Sequence, residues 1–349
     1  MLTEQQIAEL REHLEKAQNP IFYYDNDADG LCSFLLFRRY IGRGKGVAVR
    51  SYPELNEGYV KKAEELKADY VFILDKPVLS EAFVAALTAL GLPIVWIDHH
   101  SPVVPIISSS FFCYNSAAGL PDGAVGEPVT DIAQCVCGQK ADLWIAMMGC
   151  IADHYLPNFV AEFERQWPEY WGKNIRKPFD AYYGTEIGRL ARALNFGLKD
   201  SISHVVQLQS YLFSCRVPED VLADNDGNAA FRTTYYDLSQ RYEALLQQAE
   251  KHLQGSILFF SYGGATSMSA DVANELSYKH PNCYIAVAYS NGGVSNISLR
   301  GNNVKAILAS ILPRLSHASG GGHKDAVGAR IRNDELPLFH NLLIEEVAA

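Results

Sequence analysis

Residues 22–30 constrain this chain more than any other stretch. An apolar run gives way to Asp25, Asp27 and Asp29 at alternate positions, then to Gly30 and an apolar helical pattern. The pattern predicts a buried strand, a loop of carboxylates and a helix. Three like charges this close repel one another, and burial adds a desolvation cost, so at least one carboxyl should be protonated unless a cation is bound. A divalent metal is the simplest partner.

Two other interpretations of this stretch have to be weighed. Asp, Asn and Gly are the usual residues of polar turns, so a plain turn stays an alternative on local grounds. A calcium loop begins with the same Asp-x-Asp-x-Asp-Gly pattern, but it needs a Glu about six residues after the Gly. The chain has Leu36 and Phe37 there, which argues against a calcium loop.

Strand and helix patterns alternate over the first hundred residues. Helices are predicted at 3–18, 31–41, 58–66 and 80–90, and strands at 21–24, 47–51, 70–74 and 93–97. Strands that alternate with helices imply a parallel sheet, whose central strands are apolar throughout because both faces are covered. The expected fold class is therefore α/β.

The three most apolar strands end in acidic or imidazole residues. The first runs into Asp25, the second into Asp75, and the third into Asp98, His99 and His100. One such coincidence means little, because Asp often caps the next helix. In parallel sheets, however, ligands collect outside the carboxyl ends of the strands. Three such ends on one edge predict a functional site.

The next segment has a weaker pattern. Residues 101–138 are rich in Ser, Gly and Pro, which predicts loops near the site, and Asn115 is a candidate site residue or a turn residue. The apolar stretch Leu143–Ala152 predicts a buried helix that ends at Asp153. This carboxylate either reaches the sheet edge as a further ligand or faces solvent where the helix leaves the core, and the local pattern leaves both open.

A second α/β pattern begins near residue 255, after a mainly helical stretch. One of its strands ends at Arg300, and a later helix leads to Gly320, Gly321, Gly322 and His323. Successive glycine N–H groups can surround an anion, and the arginine and histidine add donors. This region would supply the phosphate-binding half that the acidic first half lacks.

Composition narrows the class of protein. With 349 residues, 48% of them hydrophobic, the chain can bury a large core and form two domains. The chain contains no apolar run of about 18 residues, so no membrane span is predicted, and the amphipathic helix at 3–18 is not a signal peptide.

The cysteines and the net charge narrow the class further. Seven cysteines without a framework spacing fit a reducing cytoplasm, and Cys135 and Cys137 are more simply buried thiols than half of a zinc site. A net charge of -10 argues against coating long nucleic acid but allows a short phosphate ligand.

The donor types indicate which ion to expect. Asp oxygens with a single imidazole suit Mn²⁺ or Mg²⁺, and the lack of thiolate partners argues against structural zinc. Two such ions about 3.5–4 Å apart activate a water and stabilise in-line displacement at phosphorus. One carboxylate must bridge both ions, and Asp75 is the natural candidate. Only one of His99 and His100 is expected to bind metal, which leaves the other for substrate or as a proton donor, with Asp98 orienting one ring.

In this order, the elements resemble those of a known family, the DHH phosphoesterases with a C-terminal DHHA1 domain. The resemblance rests on Asp25-x-Asp27-x-Asp29-Gly30, Asp75, Asp98-His99-His100, Asp153 and Gly-Gly-Gly-His323. It covers residues 20–155 and 255–332. The Asp-His-His triplet alone is weak, whereas five elements in sequence are specific.

The resemblance implies a parallel-sheet DHH domain at 1–195, a helical connector at 196–254 and a smaller α/β DHHA1 domain at 255–349, with a cleft between the domains. It also implies two divalent ions, usually Mn²⁺, with Mg²⁺ as an alternative. One ion would be held by Asp25, Asp27 and Asp75, and the other by Asp29, Asp75, His99 and Asp153. His100 would face the scissile phosphate, while Arg300, His323 and the adjoining glycines would hold the nucleotide.

Members of this family hydrolyse single-stranded DNA (RecJ-like exonucleases), short RNA (nanoRNases) or cyclic dinucleotides. The first motif begins with Asp25, which looks RecJ-like or archaeal, where nanoRNases usually have His. Gly301 stands where Ser is expected, and Val327 where Ala is common. These departures concern substrate preference rather than the metals.

The expected function is a cytoplasmic phosphodiesterase that releases nucleoside monophosphates from short oligonucleotides or single-stranded ends. Two alternatives are a cyclic dinucleotide phosphodiesterase and a non-catalytic binding module of a replication complex. A pyrophosphatase of related fold is disfavoured by Gly-Gly-Gly-His323. The oligomeric state stays open, with a dimer as one option.

Overall fold

The structure is a computed structural model that describes residues 1–51, 54–100, 109–121 and 126–348. The chain divides into two compact units, Met1–Tyr235 and Tyr236–Ala349. The predicted domain boundaries at 195 and 254 and the predicted cleft stay predictions. Among the described helices, none combines the length and apolar character that a membrane crossing requires.

The first unit contains a parallel sheet covered by helices. Its strands are β1 (Pro20–Asp25), β2 (Lys45–Val49), β3 (Glu54–Leu55), β4 (Tyr70–Leu74), β5 (Val78–Leu79), β6 (Ile94–Asp98) and β7 (Phe111–Asn115). Its helices are α1 (Glu4–Lys16), α2 (Ala28–Ile41), α3 (Val60–Glu65), α4 (Glu81–Ala89), α5 (Val129–Cys137), α6 (Leu143–Ala152), α7 (Val160–Gln166), α8 (Pro178–Gly184), α9 (Glu186–Gly197), α10 (Ile202–Ser214) and the start of α11 (Ala229–Glu250).

The main sheet has the order β2-β1-β4-β6-β7, and all four strand pairs are parallel. The predicted parallel sheet is therefore confirmed. Its central strands are buried because helices cover both faces; one face packs Ile21, Val71 and Ile73 with Phe83 and Leu87 of α4. Strand order reverses between β1 and β4, and at such a reversal the loops leave the sheet in opposite directions and open a crevice.

Two sequence-based expectations for this unit are wrong. Helix α2 begins at Ala28, with Asp27 as its N-cap, so Asp29 and Gly30 are helical and the carboxylate loop is short. The segment 101–138 contains an edge strand, β7, and a helix, α5. The Ser, Gly and Pro residues around them obscure these two short patterns, and β7 is held by pairing with β6 and α5 by packing on α2 and α6. Residues 101–108 and 122–125 of that segment lie outside the described residues.

The second unit is a smaller α/β unit. Its strands are β8 (Leu253–Gln254), β9 (Ile257–Gly263), β10 (Tyr284–Asn291), β11 (Val294–Arg300), β12 (Ser319–His323) and β13 (Ala326–Arg332), and its further helices are α12 (Ser269–Lys279), α13 (Val304–Ile311) and α14 (Leu336–Ala348). The sheet order is β12-β13-β11-β10-β9-β8. Leu308, Ile311 and Phe339 of the helices pack on Ile297 and Leu299 of β11. Both predicted α/β units are thus present.

Candidate metal centre

Three acidic strand ends meet at one edge of the first sheet. Strands β1, β4 and β6 are consecutive neighbours and parallel, so their carboxyl ends lie side by side. Asp25 and Asp98 are the last residues of β1 and β6, and Asp75 directly follows β4. The edge includes the reversal between β1 and β4, the place where ligands bind in sheets of this kind.

The first turn of α2 adds two more carboxylates. The side chain of Asp27 accepts a hydrogen bond from the Gly30 backbone N–H at 2.9 Å, which caps the helix. Residue 30 must be glycine because a Cβ atom there would lie 2.4 Å from the Asp25 carbonyl oxygen. The close approach of this helix to the end of β1 brings Asp27 and Asp25 to the same side of the site.

Asp29 is buried and has a second task. Its two carboxylate oxygens accept hydrogen bonds from the backbone N–H groups of Val129 at 3.0 Å and Thr130 at 2.8 Å. Asp29 therefore binds the N-terminus of α5, where the helix dipole favours a negative charge. No sequence pattern pointed to this contact, because α5 itself was not predicted.

Asp75 sits at the centre of the group and in a strained backbone conformation. Its φ angle is 59°, in the left-handed region that residues other than glycine seldom adopt. Its Oδ1 atom is buried and accepts no hydrogen bond within the described part of the chain, although His99 Nε2 lies 3.2 Å away. A buried, unsatisfied carboxylate oxygen needs a partner, and a cation is the partner that would suit its charge.

The two histidines after β6 both lie against Asp75. His99 is buried, and its Nε2 is also 3.6 Å from Asp153 Oδ2. His100 is partly exposed, and its Nδ1 lies 2.8 Å from Asp98 Oδ1 and 3.9 Å from Asp75 Oδ1. Asp98 thus orients the His100 ring through Nδ1, which leaves Nε2 as the nitrogen not used in this bond.

Asn115 belongs to the support of this site. It ends β7 beside Asp98, and its side-chain N–H group donates to the His100 carbonyl oxygen at 3.0 Å and to Asp98 Oδ2 at 3.4 Å. The side chain is 8% exposed. The predicted contact between Asn115 and a substrate stays a prediction, whereas its contact with the Asp98–His100 pair is direct.

Asp153 completes the group from the end of α6. The helix Leu143–Ala152 is buried along its whole length except at its last residue, and Asp153 is its C-cap. Of the two alternatives left open by the sequence, the structure has the carboxylate turned toward His99. The side chain is 32% exposed, and its role as a metal ligand stays a prediction.

The predicted metal ligands, together with His100, form three overlapping groups, and within each group the ligand atoms lie within 4.8 Å of one another. The groups are Asp25 with Asp27 and Asp75, Asp29 with His99 and Asp153, and Asp75 with His99 and His100. The donors are carboxylate oxygens and imidazole nitrogens, the set that suits Mn²⁺ or Mg²⁺. Together with the unsatisfied Asp75 oxygen, this donor set fits divalent cations.

Electrostatics in the metal-free protein point the same way. Desolvation and repulsion from neighbouring carboxylates raise the pKa of Asp27 to about 7 and the pKa of Asp75 well above its usual value. Desolvation also raises the pKa of Asp153 to about 7, partly opposed by His99. Burial lowers the pKa of His99, but the carboxylates of Asp153 and Asp29 outweigh it and leave the pKa raised. The site is therefore short of positive charge.

Three cations lie near the site that no sequence pattern indicates. Lys76 is fully buried, and its Nζ lies 2.8 Å from Asp25 Oδ1. Arg50 and Lys199 line a cavity of about 350 Å³ beside Asp25. Lys76 directly follows Asp75 in the sequence, but no local pattern reveals that a lysine after a strand will be buried. Arg50 and Lys199 come from distant parts of the chain, joined where Arg50 donates to the Leu198 carbonyl oxygen at 3.4 Å.

The second unit brings its predicted residues to one end of its sheet. Arg300 pairs with Ala326 across β11 and β13, and Ala326 pairs with His323 across β13 and β12. Directly opposed residues project to the same face, so Arg300 and His323 share one row. Gly321 and Gly322 lie in β12, an edge strand, rather than in a loop, and their predicted role in anion binding stays a prediction.

Comparison with known proteins identifies the fold. Neither a family model nor a curated protein matches the chain. RecJ from Thermus thermophilus in complex with Mn²⁺ matches with a TM-score of 0.64 at 16% identity, covering 99% of this chain and 54% of that one. An exonuclease RecJ bound to manganese matches with a TM-score of 0.63 at 15% identity, covering 97% and 92%. CDC45 from Entamoeba histolytica matches with a TM-score of 0.50 at 11% identity, covering 99% and 98%.

These likenesses extend over nearly the whole of this chain, which spans about half the length of the Thermus thermophilus RecJ chain. A DHH-domain structure matches with a TM-score of 0.62 over 98% of the chain. At 14–16% identity such matches establish the fold, as the five sequence elements predict. The chain has the two-part α/β fold of RecJ and the DHH-domain proteins.

Proposed function

We propose that this protein is a hydrolase, a divalent-metal-dependent phosphodiesterase that releases nucleoside monophosphates from short oligonucleotides or single-stranded ends. The observation that carries the proposal is the set of three overlapping ligand groups, two of which contain Asp75. The proposed ligands of two Mn²⁺ ions, or Mg²⁺ in their place, are Asp25, Asp27, Asp29, Asp75, His99 and Asp153. RecJ structures of the same fold contain Mn²⁺ or Mg²⁺. Bound ions would supply an activated water and offset charge at phosphorus.

His100 is the proposed catalytic proton donor, and Asp98 is its positioning residue. Asp98 accepts from both the ring Nδ1 at 2.8 Å and the backbone N–H of His100 at 3.1 Å, which fixes the ring. The other ring nitrogen, Nε2, can then carry a proton to the leaving oxygen. Asn115 holds this pair through the bonds described above.

Cations near the site favour an anionic substrate. A cavity of about 350 Å³ falls in the range of small-ligand pockets, and Arg50 and Lys199 give its wall positive charge next to Asp25. In the second unit, Arg300, His323, Gly321 and Gly322 are the proposed contacts to the nucleotide. The charge of -10 on the whole chain makes such local cations decisive for where a phosphate binds.

Changing Lys199 to Met should raise KM for a dinucleotide about fivefold to tenfold and leave kcat within about twofold. A lysine that contacts a non-reacting phosphate stabilises ground state and transition state equally. Steady-state kinetics at two salt concentrations measure this effect. Lys61→Met, an exposed position on α3, is the matched control. An unchanged KM for Lys199→Met would remove the cavity from the substrate path.

The substrate class is tested by incubating the purified protein and Mn²⁺ with a 2-mer, a 20-mer and a cyclic dinucleotide. We expect nucleoside monophosphate from the 2-mer or from the ends of the 20-mer. Cleavage of the cyclic dinucleotide alone would favour that alternative substrate. Inactivity on all three substrates would contradict the proposed phosphodiesterase activity. If nucleic-acid binding then survived Asp75→Ala, the protein would be a binding module.

A further inference from the structure

Lys76 is a buried cation inside an acidic site, and its position is fixed from three sides. Its side chain is 0% exposed, and its Nζ donates to Asp25 Oδ1 at 2.8 Å and to the Ser51 carbonyl oxygen at 2.9 Å. Its own carbonyl oxygen accepts from Trp96 Nε1 at 2.9 Å. A lysine is seldom fully buried unless it is paired. Here the partner is a proposed metal ligand.

The charges of the site suggest why the lysine is there. Five aspartates form the ligand groups: Asp25, Asp27, Asp29, Asp75 and Asp153. Two divalent ions would neutralise four of these charges. The ammonium group of Lys76 supplies the fifth positive charge, and it remains when the ions leave. Asp98 belongs to none of the ligand groups, so the balance counts only the five ligand carboxylates.

Lys76 is hydrogen-bonded to a member of one of the two ligand groups that the two ions would occupy. Its hydrogen bond is to Asp25, which belongs to the group with Asp27 and Asp75 and not to the group with Asp29, His99 and Asp153. Oδ1 of Asp25 is already engaged by an ammonium, so an ion bound by Asp25 shares that carboxylate with a like charge. Repulsion between neighbouring cations in a partly desolvated site is strong.

We propose that Lys76 is a built-in cation of the metal centre that makes its two positions unequal. The position at Asp29, His99 and Asp153 fills first. The position at Asp25, Asp27 and Asp75 is the weaker one, because Lys76 already compensates part of its charge. Lys76 is thus a tuning residue rather than a catalytic one. This inference rests on the proposed function only in assuming that the centre binds divalent ions.

The test is a titration of the metal-free protein with Mn²⁺. Binding is monitored by calorimetry and by the electron paramagnetic resonance signal of free Mn²⁺. We expect two classes of bound ion in the wild type. In Lys76→Met and Lys76→Gln, the weaker class should tighten about tenfold or more, because a nearby positive charge is removed. Lys61→Met, on an exposed helix face, should leave both classes unchanged.

Several outcomes would overturn the inference. A weaker class that is unchanged or weakened in both variants would mean that Lys76 does not oppose metal binding, as would a wild type that binds two equal ions or one. No bound Mn²⁺ at all would instead defeat the proposed function. If neither variant folds without metal, Asp25→Asn and Asp29→Asn show which class of bound ion belongs to which position. Asp25→Asn should remove only the weaker class, and loss of the tighter class would contradict the assignment.

Discussion

Asp75→Asn should lower phosphodiester hydrolysis by about a thousandfold or more while the protein stays folded. Asp75 is common to two of the three ligand groups, and its buried Oδ1 has no hydrogen-bond donor among the described residues, so its charge has no substitute there. Loss of a group that stabilises charge at the reacting centre typically costs about a hundredfold to a thousandfold, and loss of a shared metal ligand should cost at least that. The measurement is the rate of nucleoside monophosphate release under saturating Mn²⁺.

Asparagine removes the charge of residue 75 with little effect on the backbone or on folding. Asparagine tolerates the left-handed conformation that residue 75 adopts, with φ at 59°, better than alanine does. Desolvation and four neighbouring carboxylates raise the pKa of Asp75, so removal of its charge should not destabilise the metal-free fold. Asp226→Asn, at an exposed position, is the matched control. Activity within about threefold of wild type in Asp75→Asn would contradict a shared bridging carboxylate.

Mn²⁺ should raise the melting temperature of the metal-free protein, and the increment should grow with pH. At a hundred times Kd we expect about 5–10 °C at pH 8 and less than about half of that at pH 5.5. The pKa values of Asp27 and Asp153 are about 7 in the fold, so below that pH an ion must displace protons to bind. Thermal unfolding in a non-chelating buffer, with and without Mn²⁺, measures both increments.

The raised pKa values also set how the free energy of unfolding of the metal-free protein depends on pH. Asp27 and Asp153 lose their protons near 3.8 in the unfolded chain and at about 7 in the fold. Between these values the native state holds more protons, so the free energy of unfolding falls as pH rises from about 4 to about 7 and stays low above it. Bound Mn²⁺ should reverse this loss where the carboxylates are ionised. Asp27→Asn with Asp153→Asn should flatten the pH dependence, and equal increments at both pH values in the wild type would refute the explanation.

The parts of the fold that the sequence predicts well are those set by local pattern. Tyr70–Leu74 and Leu143–Ala152 are predicted to the residue, because continuous apolar runs with clear ends have few alternatives. Strand β7 and helix α5 were missed for the opposite reason. They are short, and the Ser-, Gly- and Pro-rich residues around them obscure their own patterns, whereas pairing and packing with distant segments hold them in place.

For the candidate metal centre, too, some features follow from local sequence and others depend on packing. The sequence by itself indicated the candidate ligands at the strand ends, because acids and histidines that directly follow apolar strands of a parallel sheet meet at one edge, but it left the role of Asp153 open. Only the tertiary structure decided what surrounds them. Lys76 lies 51 residues from Asp25 along the chain, and Thr130 lies 101 residues from Asp29. Such contacts depend on how the elements pack, and burial of a charge leaves no local mark in the sequence, so the balance of charge at the centre became visible only in three dimensions.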